Sequence, residues 1–205
     1  MTMESALRRF YIPAAALLAA LSAAAPARAI YLSEDGGTAF LRGPIDKGDG
    51  EVFKAFLERK RAAPLKVIYL DSYGGEIFAG MYIGVQVRRA KLDTAVKAES
   101  ANCASSCTLI FSAGVRRFNI GGDKITAGLS GFTGLGYHPA NTPGDRARFT
   151  IKSQISTDAM AKFYALMGQP KAAAVLSKGA QINTLYRPSG KETLDLRIAT
   201  SLAPP

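Results

Sequence analysis

Ser105, set between Cys103-Ala104 and Ser106-Cys107, and His138, the only histidine, are a nucleophile and a base of the kind acyl transfer uses. Gly74-Gly75, further upstream, offers backbone amides that can turn toward a developing oxyanion, because no β-carbon excludes a positive φ or a close approach. If Ser105 is the nucleophile, the next amide, that of Ser106, is placed to bind the same oxyanion. Each piece also has a plainer use. Ser105 can be a helix N-cap, Gly74-Gly75 a tight turn, and His138, between Tyr137 and Pro139, a structural or surface residue. An orienting third member is open among Asp158, Asp195, Glu192 and the uncharged Asn183. A serine-lysine pair through Lys152 or Lys178 is a further option.

The elements that must position these residues alternate between strand and helix. Residues 30–41 read as a strand pair turning at Asp35-Gly36-Gly37, and residues 43–50 as loop. Glu51 to Arg61 places Val52, Phe53, Phe56 and Leu57 on one face of an amphipathic helix. Leu65 to Leu70 is a short buried strand, broken by Ser72 to Gly75. Ile77 to Arg89 returns to helical spacing through Ile77, Met81, Val85 and Arg88. Leu92 to Ala98 reads as a strand and Ser106 to Ala113 as a buried helix. This order predicts an α/β fold with crossover units, in a single domain over 30–205. The glycine-rich stretch 121–136 reads as a loop or a twisted hairpin. Thr157 to Met167 is a helix with Ala159, Met160, Phe163, Tyr164 and Met167 inward.

Residues 1–29 read as a cleavable signal peptide. Arg8-Arg9 is followed by the apolar run Ile12 to Leu21 and by the small-residue site Ala27-Arg28-Ala29. That run is shorter than the roughly 20 residues a spanning helix needs. The expected location is periplasmic or secreted, with Ile30 the first mature residue. Processing would leave 23 basic and 15 acidic residues of the original 26 and 16, a net charge of +8. The basic residues are scattered and no nucleic-acid-binding motif accompanies them, so no nucleic-acid partner is expected. Cys103 and Cys107, in an exported chain, are expected to be oxidised. Four residues apart on one helical turn, their α-carbons would lie about 6 Å apart, inside the disulfide range. A zinc site would need more soft ligands than two cysteines and one distant histidine. No metal and no cofactor is expected.

The stretch Leu70-Asp71-Ser72-Tyr73-Gly74-Gly75-Glu76-Ile77-Phe78-Ala79-Gly80-Met81 resembles the strand, Gly-Gly turn and helix of the Clp protease proteolytic subunit, in the ClpP/crotonase superfamily. Cys103 to Cys107, running on to Ser112-Ala113-Gly114, resembles its nucleophile segment, and Tyr137-His138-Pro139 its histidine segment. The Cys-x-Ser-x-Cys form is similar to an exported branch of that superfamily. The resemblance covers Val67 to Pro139. It implies Ser105 as nucleophile, His138 as general base, the amides of Gly75 (or Gly74) and Ser106 as oxyanion donors, a ClpP/crotonase-like spiral of ββα units, and trimeric or hexameric assembly. Two departures stand out. The glycine-rich stretch before His138 is longer than the family's, and the family's acidic member falls near 181–184, where this chain offers only Asn183.

Two functions follow from these readings. One is an exported serine hydrolase, a peptidase acting on peptides or unfolded segments through a Ser105 acyl-enzyme, with no ATP-driven unfoldase. The other is a non-catalytic peptide-binding protein that keeps the fold without turnover.

Overall fold

The computed structural model describes residues 30–128, 131–140, 151–180 and 185–205, without the side chains of 151, 152 and 180. The expected signal peptide over 1–29 lies outside the described residues, as do Asn183 and the side chain of Lys152. Among the described residues no helix is long and apolar enough to cross a membrane.

Strands β1 (Tyr31–Asp35) and β2 (Thr38–Arg42) form the expected antiparallel pair, Leu32 facing Leu41 across it. Helix α1 (Asp49–Leu57) then carries the chain over to β3 (Val67–Asp71), and α2 (Ile77–Arg89) carries it to β4 (Asp93–Lys97). A short strand β5 (Asn102–Ala104) leads into α3 (Ser106–Ser112), which returns to β6 (Arg117–Ile120). Strands β2, β3, β4 and β6 run parallel, in the sheet order β1-β2-β3-β4-β6. The protein is thus mixed α/β with a mostly parallel sheet. The two faces of that sheet differ because side chains alternate along a strand. Leu41, Ile68, Leu70 and Val96 face the main core with the helices, while Val67, Ala95 and Phe118 form a smaller cluster.

Two helix faces differ from the sequence reading. On α1, Phe53 and Phe56 are buried but Val52 is 45% exposed. On α2 the buried face is Ala79, Gly80, Ile83, Gly84, Gln86 and Val87, with Ile77, Met81 and Val85 only half-buried. Close packing causes the rotation. A β-carbon on Gly80 would stand 2.9 Å from Ser106 Cβ, and one on Gly84 would stand 2.9 Å from Phe163 Cζ. Small residues, not large ones, let α2 approach α3 and the C-terminal helices, and a search for large apolar side chains passes over them.

The described part of the glycine-rich stretch is largely loop, and it is not a hairpin within itself because its one strand pairs elsewhere. It holds a 3₁₀ turn at Gly122–Lys124 and a strand, β7 (Gly134–Gly136), that pairs in parallel with β5. Asn102 faces Gly134 and Ala104 faces Gly136 in this second, two-stranded sheet. Helices α4 (Ile151–Leu166), α5 (Ala173–Ala180) and α6 (Gly190–Asp195) complete the described chain. On α4, Met160, Phe163 and Tyr164 are buried; Ala159, on the helix, and Met167, just beyond it, are half-buried.

Candidate functional site

Ser105 is the single residue between strand β5 and helix α3. Its backbone stands at φ 54, ψ −127, the conformation of the first central residue of a type II′ turn, a position dominated by glycine. A side chain there is strained by about 1–2 kcal/mol. The amide of Ser105 donates to Gly136 O at 2.9 Å, and its carbonyl accepts from Thr108 N, also at 2.9 Å. Ser105 occupies the N-cap position of α3, yet its hydroxyl makes no capping bond. The plainer use of this serine is therefore not the one the fold makes of it. Ser106 is fully buried against Gly80, so of the two serines only Ser105 retains exposure.

Gly74 touches this turn directly. It has φ +85, and a β-carbon on it would meet Ala104 O at 2.4 Å, Ser105 Cβ at 2.8 Å and Ser106 N at 2.9 Å. Only glycine leaves the Ser106 amide uncovered, and as the first residue of α3 that amide has no carbonyl acceptor inside the helix. Gly74 O accepts from Ile45 N at 2.9 Å. Across the same trans peptide plane, Gly75 N–H must point the opposite way, away from Ile45. At the N-terminus of α2, beside this turn, Glu76 Oε2 accepts from Ala79 N at 2.5 Å and places a negative charge there. The amides, rather than a helix dipole, are what this turn offers an anion.

Cys103 and Cys107 are joined, with Sγ atoms 2.07 Å apart and α-carbons 5.2 Å apart. Their setting differs from the one-turn helical placement read from spacing. Cys103 lies in β5 and Cys107 in α3, so the bond bridges the strand-to-helix turn and encloses Ser105.

His138 follows β7 by two residues. Ser105 N–H bonds Gly136 O, so the β5–β7 pairing reaches the serine turn and ends two residues before His138. Tyr137 exchanges two backbone bonds with Tyr186, both 2.8 Å, and a β-carbon on Gly179 would lie 2.8 Å from His138 Cα. His138 Nδ1 lies 2.5 Å from Pro139 O. A carbonyl can only accept, so Nδ1 carries the proton and Nε2 the lone pair in the neutral ring. Burial lowers the His138 pKa from 6.5, an effect only partly opposed by that backbone bond. The ring is therefore a neutral base at pH 7.

Two of the three acidic candidates are engaged elsewhere and the third is exposed. Asp195 pairs with Lys191 on the surface of α6 at 2.6 Å. Glu192 binds Lys178 and, at 2.7 Å, the Tyr186 hydroxyl, which also removes Lys178 as a free partner for the serine. Asp158 is exposed on α4. Among the described residues, no three histidine, cysteine or acidic side chains gather where they could hold a metal ion.

Arg187 gave no signal in sequence. It is 2% exposed and binds Gly131 O, Thr133 O and Gly134 O at 2.7–2.9 Å and Asn102 Oδ1 at 3.1 Å. Burial lowers its pKa. It thus clamps β5 to the lead-in of β7, the strands that precede Ser105 and His138 in the chain. No pattern of neighbours singles out a lone arginine for such a role.

No protein-family model and no curated protein matches the chain.

Proposed function

We propose that this chain is an exported serine hydrolase, a peptidase acting on peptides or unfolded segments, built as a ClpP/crotonase-like spiral of ββα units. The observation that carries this reading is the strained, non-capping Ser105 in its strand-to-helix turn. Strain of this kind is retained where presenting a side chain is worth its cost in stability. Ser105 Oγ attacks the substrate carbonyl carbon while His138 Nε2 takes its proton. The tetrahedral oxyanion accepts from Ser106 N–H and Gly75 N–H. His138 then returns the proton to the departing amine, and water releases the acyl group by the same steps in reverse. Asn183 is the candidate to orient the imidazole. The Cys103–Cys107 bond holds the turn in shape and accords with an oxidising periplasmic or extracellular setting. The mostly parallel five-stranded sheet beside a two-stranded one supports the spiral, and a trimer or hexamer is the assembly that the spiral implies.

A fluorophosphonate probe tests the assignment. It is expected to label the wild type and Ser106→Ala at Ser105, and to leave Ser105→Ala unmarked. A wild type that stays unlabelled from pH 5 to pH 9 would favour the peptide-binding alternative. Labelling of Ser105→Ala equal to wild type would show the nucleophile to be elsewhere.

The histidine makes a second prediction. Burial disfavours the imidazolium, so the neutral base persists below the ordinary pKa of 6.5. The acid limb of kcat/KM should therefore inflect below pH 6.5, with more than half of the plateau activity retained at pH 6.5. An inflection on the alkaline side of 6.5 would contradict the role given to His138.

A further inference from the structure

We propose that Thr108 and Tyr164 are positioning residues that hold Ser105 in its strained conformation and fix its place relative to His138. The inference rests on reading Ser105 as the nucleophile. A backbone at φ 54, ψ −127 relaxes unless its polar groups are pinned. The amide is pinned by Gly136 O. The carbonyl is pinned twice by one residue, through Thr108 N at 2.9 Å and Thr108 Oγ1 at 2.5 Å.

The direction of the hydroxyl chain follows from counting protons. Ser105 O can only accept, so Thr108 spends its single hydroxyl proton there. Tyr164 OH lies 2.6 Å from Thr108 Oγ1 and must then be the donor. Thr108 and Tyr164 are fully buried, on α3 and α4 respectively. Desolvation raises the Tyr164 pKa, which keeps its proton in place at every working pH. The same tyrosine reaches the base. Its ring packs against Tyr137 with centroids 6.0 Å apart, and Tyr137 is the residue before His138. One buried side chain thus braces the nucleophile turn through its hydroxyl and the histidine segment through its ring. Misplacing a reacting group by about 1 Å can cost about a hundredfold in rate.

Thr108→Val keeps the side-chain shape and removes the hydroxyl. It is expected to lower kcat about 10- to 100-fold with KM nearly unchanged, and Thr108→Ser should restore most of the rate. Tyr164→Phe, which keeps the ring against Tyr137, should lower kcat by a smaller factor and serves as the readout if Thr108→Val does not fold. A folded Thr108→Val, or Tyr164→Phe in its place, that turns over at the wild-type rate overturns the inference. So does a KM increase at constant kcat. If the wild type neither hydrolyses peptides nor takes the serine probe, the nucleophile reading fails separately. The brace is then decided by the amide–α-proton coupling of Ser105 in nuclear magnetic resonance. Loss of the left-handed value in Thr108→Val supports it, and an unchanged value refutes it.

Discussion

Ser105→Gly should make the protein more stable and catalytically silent. The gain comes from relieving a side chain at φ 54, worth about 1–2 kcal/mol, less the entropy that a new glycine adds to the unfolded chain, about 0.5–1 kcal/mol. No capping bond is lost, because the Ser105 hydroxyl makes none. The net is a rise of up to about 1.5 kcal/mol in unfolding free energy, read by chemical denaturation. Hydrolysis should fall by about 10⁴-fold or more, because the acyl-enzyme can no longer form. The opposite signs matter. A serine kept only for structure would lose stability when removed, and one without chemistry would leave the rate unchanged. A stability loss above about 1 kcal/mol with rate intact would reverse both assignments.

Arg187→Met should be among the most destabilising single changes in the chain. The guanidinium supplies four hydrogen bonds to three backbone carbonyls and one side-chain amide, all inside the protein. Methionine fills much of the volume but donates nothing, and leaving several buried acceptors unmet costs about 1–3 kcal/mol apiece before relaxation. Partial rescue by water brings the expected loss to about 3 kcal/mol or more, a melting drop of about 6–12 °C for a chain of this size. Because the clamp joins the strands that lead into Ser105 and toward His138, serine-probe labelling should also slow in the protein that remains folded. Arg187→Lys should recover part of the stability, since one ammonium cannot span the same acceptors. A melting point within a degree of wild type would show that the clamp carries little weight.

Sequence by itself was strongest where the signal is local. The α2 limits, Ile77 to Arg89, the hairpin between β1 and β2, the turn at Gly74-Gly75 and the exposed-or-buried rhythm of Met160, Phe163 and Tyr164 are all set by periodicity and turn chemistry within a dozen residues. Composition also marked Ser105, His138 and the cysteine pair as residues to watch. What tertiary structure alone decided depends on partners distant in the chain. The pairing of β5 with β7 joins three-residue strands, and a segment as short as Gly134-Leu135-Gly136 has no period to read. The inward face of α2 is defined by Gly80 and Gly84, whose role is the absence of a side chain where α3 and α4 approach. The choice between Ser105 as cap and Ser105 as presented hydroxyl could not be made from residue types, because both begin a helix with the same letter. The structure adds a hydroxyl that makes no capping bond and a backbone angle of φ 54, and that angle is held by a carbonyl of β7, by Thr108 and, through it, by Tyr164 on another helix. Propensity acts between neighbours in sequence, whereas strain can be held only by groups that the whole fold brings together.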